Sequence, residues 1–146
     1  MRRVILDTDA FSVLAERRPG TEKLAAVIGA AESLLTFASV AELLYGAMVA
    51  RWGSTRLQRL ERAIGHCGLL LPTAESLGVW ARLRAGAVRA GHPLGHKVHG
   101  NDLWIATCAV YYGLPLVTRN GRHFAGLAEL EVVGSETGGG GGPSTG

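Results

Sequence analysis

The chain has 146 residues, 47% of them hydrophobic and 18% charged. That is about one domain's worth, enough for a core of its own, and it excludes a disordered or fibrous chain and a mechanism spread over several domains. The formal net charge of +3 comes from 13 arginines and two lysines against 12 acids, which favours an anionic partner without demanding one.

Val4 to Leu6 is a buried-type apolar run ending in Asp7-Thr8-Asp9, and a helical pattern begins at once with Phe11, Val13 and Leu14. Thr21 to Ala31 reads as a short helix. Ser33 to Phe37 reads as a second strand, feeding a helix from about Val40 to Ala50 whose Val40, Leu43, Leu44, Ala47 and Met48 keep one apolar stripe. Thr55 to Ile64 is the next helix, Gly68 to Leu71 a short strand, and Ala74 to Ala90 the longest helix. Gly91 to Gly100 reads as loop, Asn101 to Tyr112 as a nearly all-apolar helix, and Pro115 to Val117 and Glu131 to Val133 as the last two strands. Strands alternating with helices predict the α/β class, with a central parallel sheet covered on both faces in three layers. From Gly134 onward nothing apolar anchors the chain, so residues 134–146 are expected to be a flexible Gly-rich tail outside a folded unit of residues 1–133.

Cys67 and Cys108 lie among apolar neighbours in no metal-ligand spacing, which predicts buried thiols. The apolar stretch after Met1 is too short for a signal peptide, and no charge-free run reaches the roughly 18 residues of a membrane span, so the expected compartment is the cytoplasm. Arg51, Arg56, Arg59 and Arg62, and again Arg82, Arg84 and Arg89, cluster on predicted helices, as solvated faces or phosphate contacts.

There are only three aspartates, and two of them end the first strand. The carboxyl ends of strands in a parallel sheet form the ligand crevice, so Asp7, directly after the buried run, is the first candidate for a functional ligand. Asp9 is better explained as a cap for a helix beginning at Ala10. Glu42 closes the pattern Ser39-Val40-Ala41-Glu42, which from spacing alone reads as a capping box. Even so, that helix opens onto the same sheet edge as Asp7. Asp102 enters a helix that continues Leu103-Trp104-Ile105-Ala106. Its interaction with the helix dipole is worth at most about 1 kcal/mol, and a shared divalent cation is the stronger reason for the charge. Hard Mg²⁺ or Mn²⁺ takes such oxygen ligands. His92, His96 and His99 are spaced in one loop in a way that fixes no zinc geometry.

Four segments, Ile5-Leu6-Asp7-Thr8-Asp9, Ser39-Val40-Ala41-Glu42-Leu43-Leu44-Tyr45-Gly46-Ala47, Gly100-Asn101-Asp102-Leu103-Trp104-Ile105-Ala106-Thr107 and Leu116-Val117-Thr118-Arg119-Asn120 with Phe124, fall in the order and spacing of the PIN-domain ribonucleases. Over about residues 3 to 133 the chain resembles the VapC-type toxins of type II toxin–antitoxin pairs. The resemblance implies a PIN-like α/β/α fold and a divalent-metal-dependent endoribonuclease cutting structured transfer or ribosomal RNA. Its metal ligands and catalytic residues would be Asp7, Glu42 and Asp102, which moves Glu42 from cap to ligand. It also implies a cognate antitoxin and a homodimer; the helix 40–50 and the arginine-rich stretch 51–62 are our expected contact surface. The family's usual fourth acid is replaced by Asn120 and His123, which puts the second metal in doubt. Thr8 and Thr118 are expected to orient water or ligand, and Arg119 and Arg122 to hold the RNA backbone.

Two other readings compete. A PIN-like module that lost catalysis with its fourth acid would bind RNA or a protein partner whether or not metal is present. A haloacid dehalogenase-type phosphatase would use Asp7-Thr8-Asp9 but needs a late acidic motif, where this chain has Thr118-Arg119-Asn120.

Overall fold

The structure is a computed structural model describing residues 2–134. Its elements are β1 (Arg3–Leu6), α1 (Thr8–Ala15), α2 (Thr21–Ile28), β2 (Glu32–Thr36), α3 (Phe37–Val49), α4 (Ser54–Gly65), β3 (Gly68–Leu70), α5 (Ala74–Ala90), α6 (Gly100–Tyr112), β4 (Leu116–Val117), α7 (Gly121–Phe124) and β5 (Val132–Val133). Two short 3-10 turns, Pro93–Gly95 and Lys97–His99, join α5 to α6. The sheet is wholly parallel in the order β3-β2-β1-β4-β5. The chain therefore builds outward from β1 through β2 to β3, then returns to the other side of β1 for β4 and β5. This places the topological switch point between β1 and β4, where ligands bind in open α/β sheets.

Alternation along the strands divides the core between two faces. Ile5, Leu34 and Leu116 join Leu83, Leu103, Ile105 and Phe124 on the face covered by α5 and α6. Val4, Leu6, Leu35 and Val117 join Phe11, Val13, Leu24, Ala47 and Leu60 on the face covered by α1, α2, α3 and α4. Val4, Ile5 and Leu6 are each at most 2% exposed, and each contributes roughly 1.5–3 kcal/mol by burial. Three anchors in succession fix the end of β1, and so the position of Asp7. No helix among the described residues is long and apolar enough to cross a membrane. The expected tail lies, from residue 135, outside the described residues.

The predicted strands and the longest helix stand as read, to within two residues at each end, but two helix starts move. α1 begins at Thr8 with Asp7 as its cap, the Asp7 carboxylate accepting from the Ala10 N–H at 2.8 Å. Asp9 is therefore not the cap. α3 begins at Phe37 and is capped by Thr36, whose hydroxyl accepts from the Ser39 N–H at 3.3 Å. Ser39 is buried in the first turn of α3, so the expected Ser39–Glu42 capping box does not form. In both cases the helix starts as soon as the strand ends, earlier than the hydrophobic pattern indicates. α7 falls in a stretch without a helical pattern and was not anticipated.

Gly134, at φ +104°, lies against the end of β4, and a Cβ there would stand 2.6 Å from the Thr118 carbonyl oxygen. Gly134→Ala is expected to lower stability by about 1–3 kcal/mol through backbone strain and this clash. Urea unfolding of the full chain checks it.

Candidate metal centre

The carboxyl edge of the sheet opens into a cleft of about 620 Å³ lined by Asp7, Thr8, Asp9, Ser12, Arg18, Glu42, His99, Asp102, Asn120 and His123. All three predicted ligands reach it from different elements: Asp7 from the end of β1, Glu42 from α3 and Asp102 from the first turn of α6.

Asp7 is the most constrained of the three. It is 6% exposed; one carboxylate oxygen accepts from the Ala10 N–H and the other from the Thr118 hydroxyl. Thr118 follows β4, so this contact spans the switch point. Each carboxylate oxygen has two lone pairs and the protein uses one on each, leaving capacity toward the cleft. Burial pushes the Asp7 carboxyl up to about 6, aided by the nearby charges of Asp9 and Asp102 and opposed by the Thr118 and Ala10 hydrogen bonds. A carboxylate buried beside other acids is costly unless a cation compensates it, and an oxygen set of this kind suits a hard dication. The residues present therefore fit Mg²⁺ or Mn²⁺, with Asp7, Glu42 and Asp102 as the groups that would hold it.

Glu42 is exposed and free of any capping role. The Thr8 hydroxyl lies 2.8 Å from its Oε1 and 3.0 Å from Ser39 Oγ. A single hydroxyl proton serves one acceptor, so Thr8 donates to the carboxylate and takes the Ser39 proton, which steers Glu42 toward the cleft. Thr8 and Thr118 thus hold the acids themselves.

Asp9 does something else. The Arg119 guanidinium donates to it at 2.8 and 3.2 Å, and Arg18 stands 3.9 Å away. Arg119 is held charged by this contact and is turned onto Asp9 in the arrangement seen. An exposed pair of this kind is worth roughly 0–1 kcal/mol, so Asp9→Asn should leave thermal stability nearly unchanged, as a melting curve would read.

Both candidates for the fourth position, Asn120 and His123, border the cleft. His123 Nε2 lies 2.9 Å from Asp102 Oδ2. His99 joins them, its ring meeting that of His123 edge-on with centroids 4.7 Å apart. His99 was missed as a site residue because it reads as one of three loop histidines, and only the fold separates them. His92 instead braces the loop, with Nδ1 accepting from the Leu94 N–H and Nε2 hydrogen-bonded to the Ala125 carbonyl. Cys67 and Cys108 are unpaired thiols; Cys108 is buried as expected, whereas Cys67 is only half-buried, and burial pushes Cys108 up to about 11, which keeps it protonated.

Residues 4–130 match the sequence model of the PIN domain family. Ribonuclease VapC5 of Mycobacterium tuberculosis is 31% identical over 102 residues, covering 67% of this chain and 73% of that protein. Ribonuclease VapC1 of Haemophilus influenzae is 26% identical over 132 residues, covering 87% and 93%. Among solved structures, VapBC-5 of Mycobacterium tuberculosis superposes with a TM-score of 0.66 at 27% identity, covering 91% of this chain and 98% of that one. VapBC2 of Rickettsia felis, bound to a DNA fragment from the promoter, gives a TM-score of 0.76 at 20% identity, covering 89% and 96%. The family match over residues 4–130, together with the VapC relatives, makes the chain a member of the PIN-domain family, of the VapC type.

Proposed function

We propose that this chain is the toxin of a toxin–antitoxin pair and a divalent-metal-dependent endoribonuclease acting on structured RNA in the cytoplasm. The observation that carries the proposal is Asp7, a buried carboxylate held at the switch point and facing one cleft with Glu42 and Asp102. Bound there, Mg²⁺ or Mn²⁺ would supply an activated water and stabilise charge on the phosphodiester. The protein's own part is positional. Asp7 is fixed by Ala10 and Thr118, Glu42 is steered by Thr8, and Asp102 is presented by α6. Arg18, at the cleft, and Arg119 and Arg122, beside it in sequence, would meet the RNA backbone, with Arg119 exchanging its Asp9 contact for phosphate. Bases are most readily read in an unstacked loop, which favours a structured RNA with an exposed loop; the family resemblance suggests transfer or ribosomal RNA.

A second cavity of about 700 Å³ adjoins the first through Thr8, Ser12 and Glu42 and is lined by Phe11, Leu43, Trp52, Arg56 and Leu60. This groove lies between α1 on one side and α3 and α4 on the other, so it overlaps the expected contact surface in part, and it suits an apolar antitoxin segment reaching the acids; the VapBC neighbours support such a partner. Tyr45, Met48 and Val49 of α3 are exposed and would meet the second copy of a homodimer.

Purified chain freed of antitoxin, incubated with total cellular RNA and Mg²⁺ or Mn²⁺, should give discrete cleavage that EDTA and Asp102→Asn abolish. An inert wild-type protein that still holds RNA in EDTA would instead support the non-catalytic binding module.

A further inference from the structure

The geometry points to a transition-metal site of the Zn²⁺ class built from His99, Asp102 and His123, beside the oxygen-rich site of Asp7 and Glu42 and sharing Asp102 with it. One ligand atom from each of the three residues can be chosen so that all lie within 4.8 Å of one another. Donors around one tetrahedral zinc, bonded at about 2.0–2.2 Å, stand roughly 3.3 Å apart, so small side-chain rotations close the set. The three come from different elements: the turn before α6, the first turn of α6, and α7. His99 and Asp102 lie three residues apart across the start of α6, and the fold completes the set by bringing His123 from α7.

Donor chemistry decides the ion. Two imidazoles and one carboxylate disfavour Mg²⁺, which takes oxygen ligands, and favour a borderline dication bound by nitrogen. Three protein ligands leave a coordination position open, the pattern of a catalytic rather than a structural zinc site. All three residues are half-buried and border the cleft, so water and a phosphate oxygen can reach that position. The His123–Asp102 hydrogen bond alone would account for those two residues. It leaves His99 unexplained, because its ring makes no side-chain hydrogen bond among the described residues and faces His123. The replacement of the family's usual acid by His123 is then a change of metal and not a loss of one. The proposal rests on the ribonuclease reading only in sharing Asp102.

The test is metal binding to the full chain, stripped with EDTA and dialysed. Zn²⁺ affinity is measured by competition with a chromophoric chelator, and Co²⁺ serves as a visible-absorption probe of coordination. The wild-type protein should take Zn²⁺ in preference to Mg²⁺ and give Co²⁺ a spectrum of low coordination number. His99→Ala and His123→Ala should each weaken Zn²⁺ by more than the roughly 10–100-fold typical of losing an outer-sphere partner. His123→Asp should weaken Zn²⁺ and strengthen Mg²⁺. If a histidine variant fails to fold, X-ray absorption of the Zn²⁺-loaded wild-type protein reads imidazole scattering directly. Unchanged Zn²⁺ affinity in folded His99→Ala and His123→Ala, or zinc without imidazole scattering, overturns the site. RNA cleavage is scored separately: a zinc site without cleavage overturns the ribonuclease alone, and cleavage without histidine-dependent zinc overturns the site alone.

Discussion

Replacing Asp7 by asparagine is expected to abolish RNA cleavage while making the metal-free protein more stable at neutral pH. Losing a direct ligand should cost more than the 10–100-fold typical of an outer-sphere partner, so a drop of at least about 10²-fold is expected. The stability effect follows from the carboxyl's position near 6 in the folded protein against 3.8 as its ordinary value. Because the folded state holds the proton more tightly, the favourable contribution is complete below about pH 4 and is lost as pH rises through about 6. A shift of that size corresponds to about 3 kcal/mol once both states are ionised, and at 6% exposure solvent screens it little. Asparagine keeps an oxygen for the Ala10 N–H and carries no charge to bury. Its advantage over the wild type should open between pH 4 and 6 and then stay level, at about 1–3 kcal/mol or several degrees in Tm. Thermal melts of both proteins in EDTA across that range isolate Asp7, since every other titration is common to the two. Mg²⁺ should recover the deficit in the wild type alone, and more effectively above pH 6, where the ligand no longer competes for a proton. Parallel melting curves across the range would show that Asp7 is not held at a cost.

How far the site could be read in advance depended on which signals are local. Val4-Ile5-Leu6 followed by Asp7 carries strand, burial and position in four residues, so both the element and the placement of Asp7 at the cleft were legible. Asp102 stood out because a charge at the head of so apolar a helix gains little from the helix dipole alone. Glu42 was ambiguous, since Ser39-x-x-Glu42 satisfies a capping pattern as well as it does a ligand; only the observed cap, Thr36, separates the two. The resemblance to a family assigns Glu42 to the ligand set where spacing favours the cap, and the structure frees it from the cap and places it at the cleft. Asp9 could not be resolved, because its hydrogen-bonding partner Arg119 lies 110 residues away and meets it only when β4 returns beside β1. His99 failed for the same reason: nothing in a Gly-rich loop distinguishes it from His92, which closes on Ala125, until α7 brings His123 to its ring.

Thr118 is the residue whose part is clearest from the fold, and its replacement by valine carries the other large expected effect. The side chain is 1% exposed, donates to Asp7, and accepts from the Asn120 N–H at 3.0 Å. It therefore ties Asp7, just after β1, to the segment leading into α7, which presents His123 to Asp102. Valine keeps the shape and deletes the hydroxyl, so the core at the switch point stays filled while both bonds are lost. Cleavage should fall by about 10–100-fold, the range for a group that orients a metal ligand. The hydroxyl also holds the Asp7 carboxyl below where burial alone would put it. Without it the acid limb of the pH–rate profile should move to higher pH. Thr118→Ser restores the hydroxyl without the methyl and should return both rate and profile toward the wild type. If serine is as impaired as valine, packing of the methyl group is what matters at this position. If valine retains the wild-type profile, Asp7 is positioned by its cap to Ala10 alone, and the link across the switch point has no bearing on the chemistry.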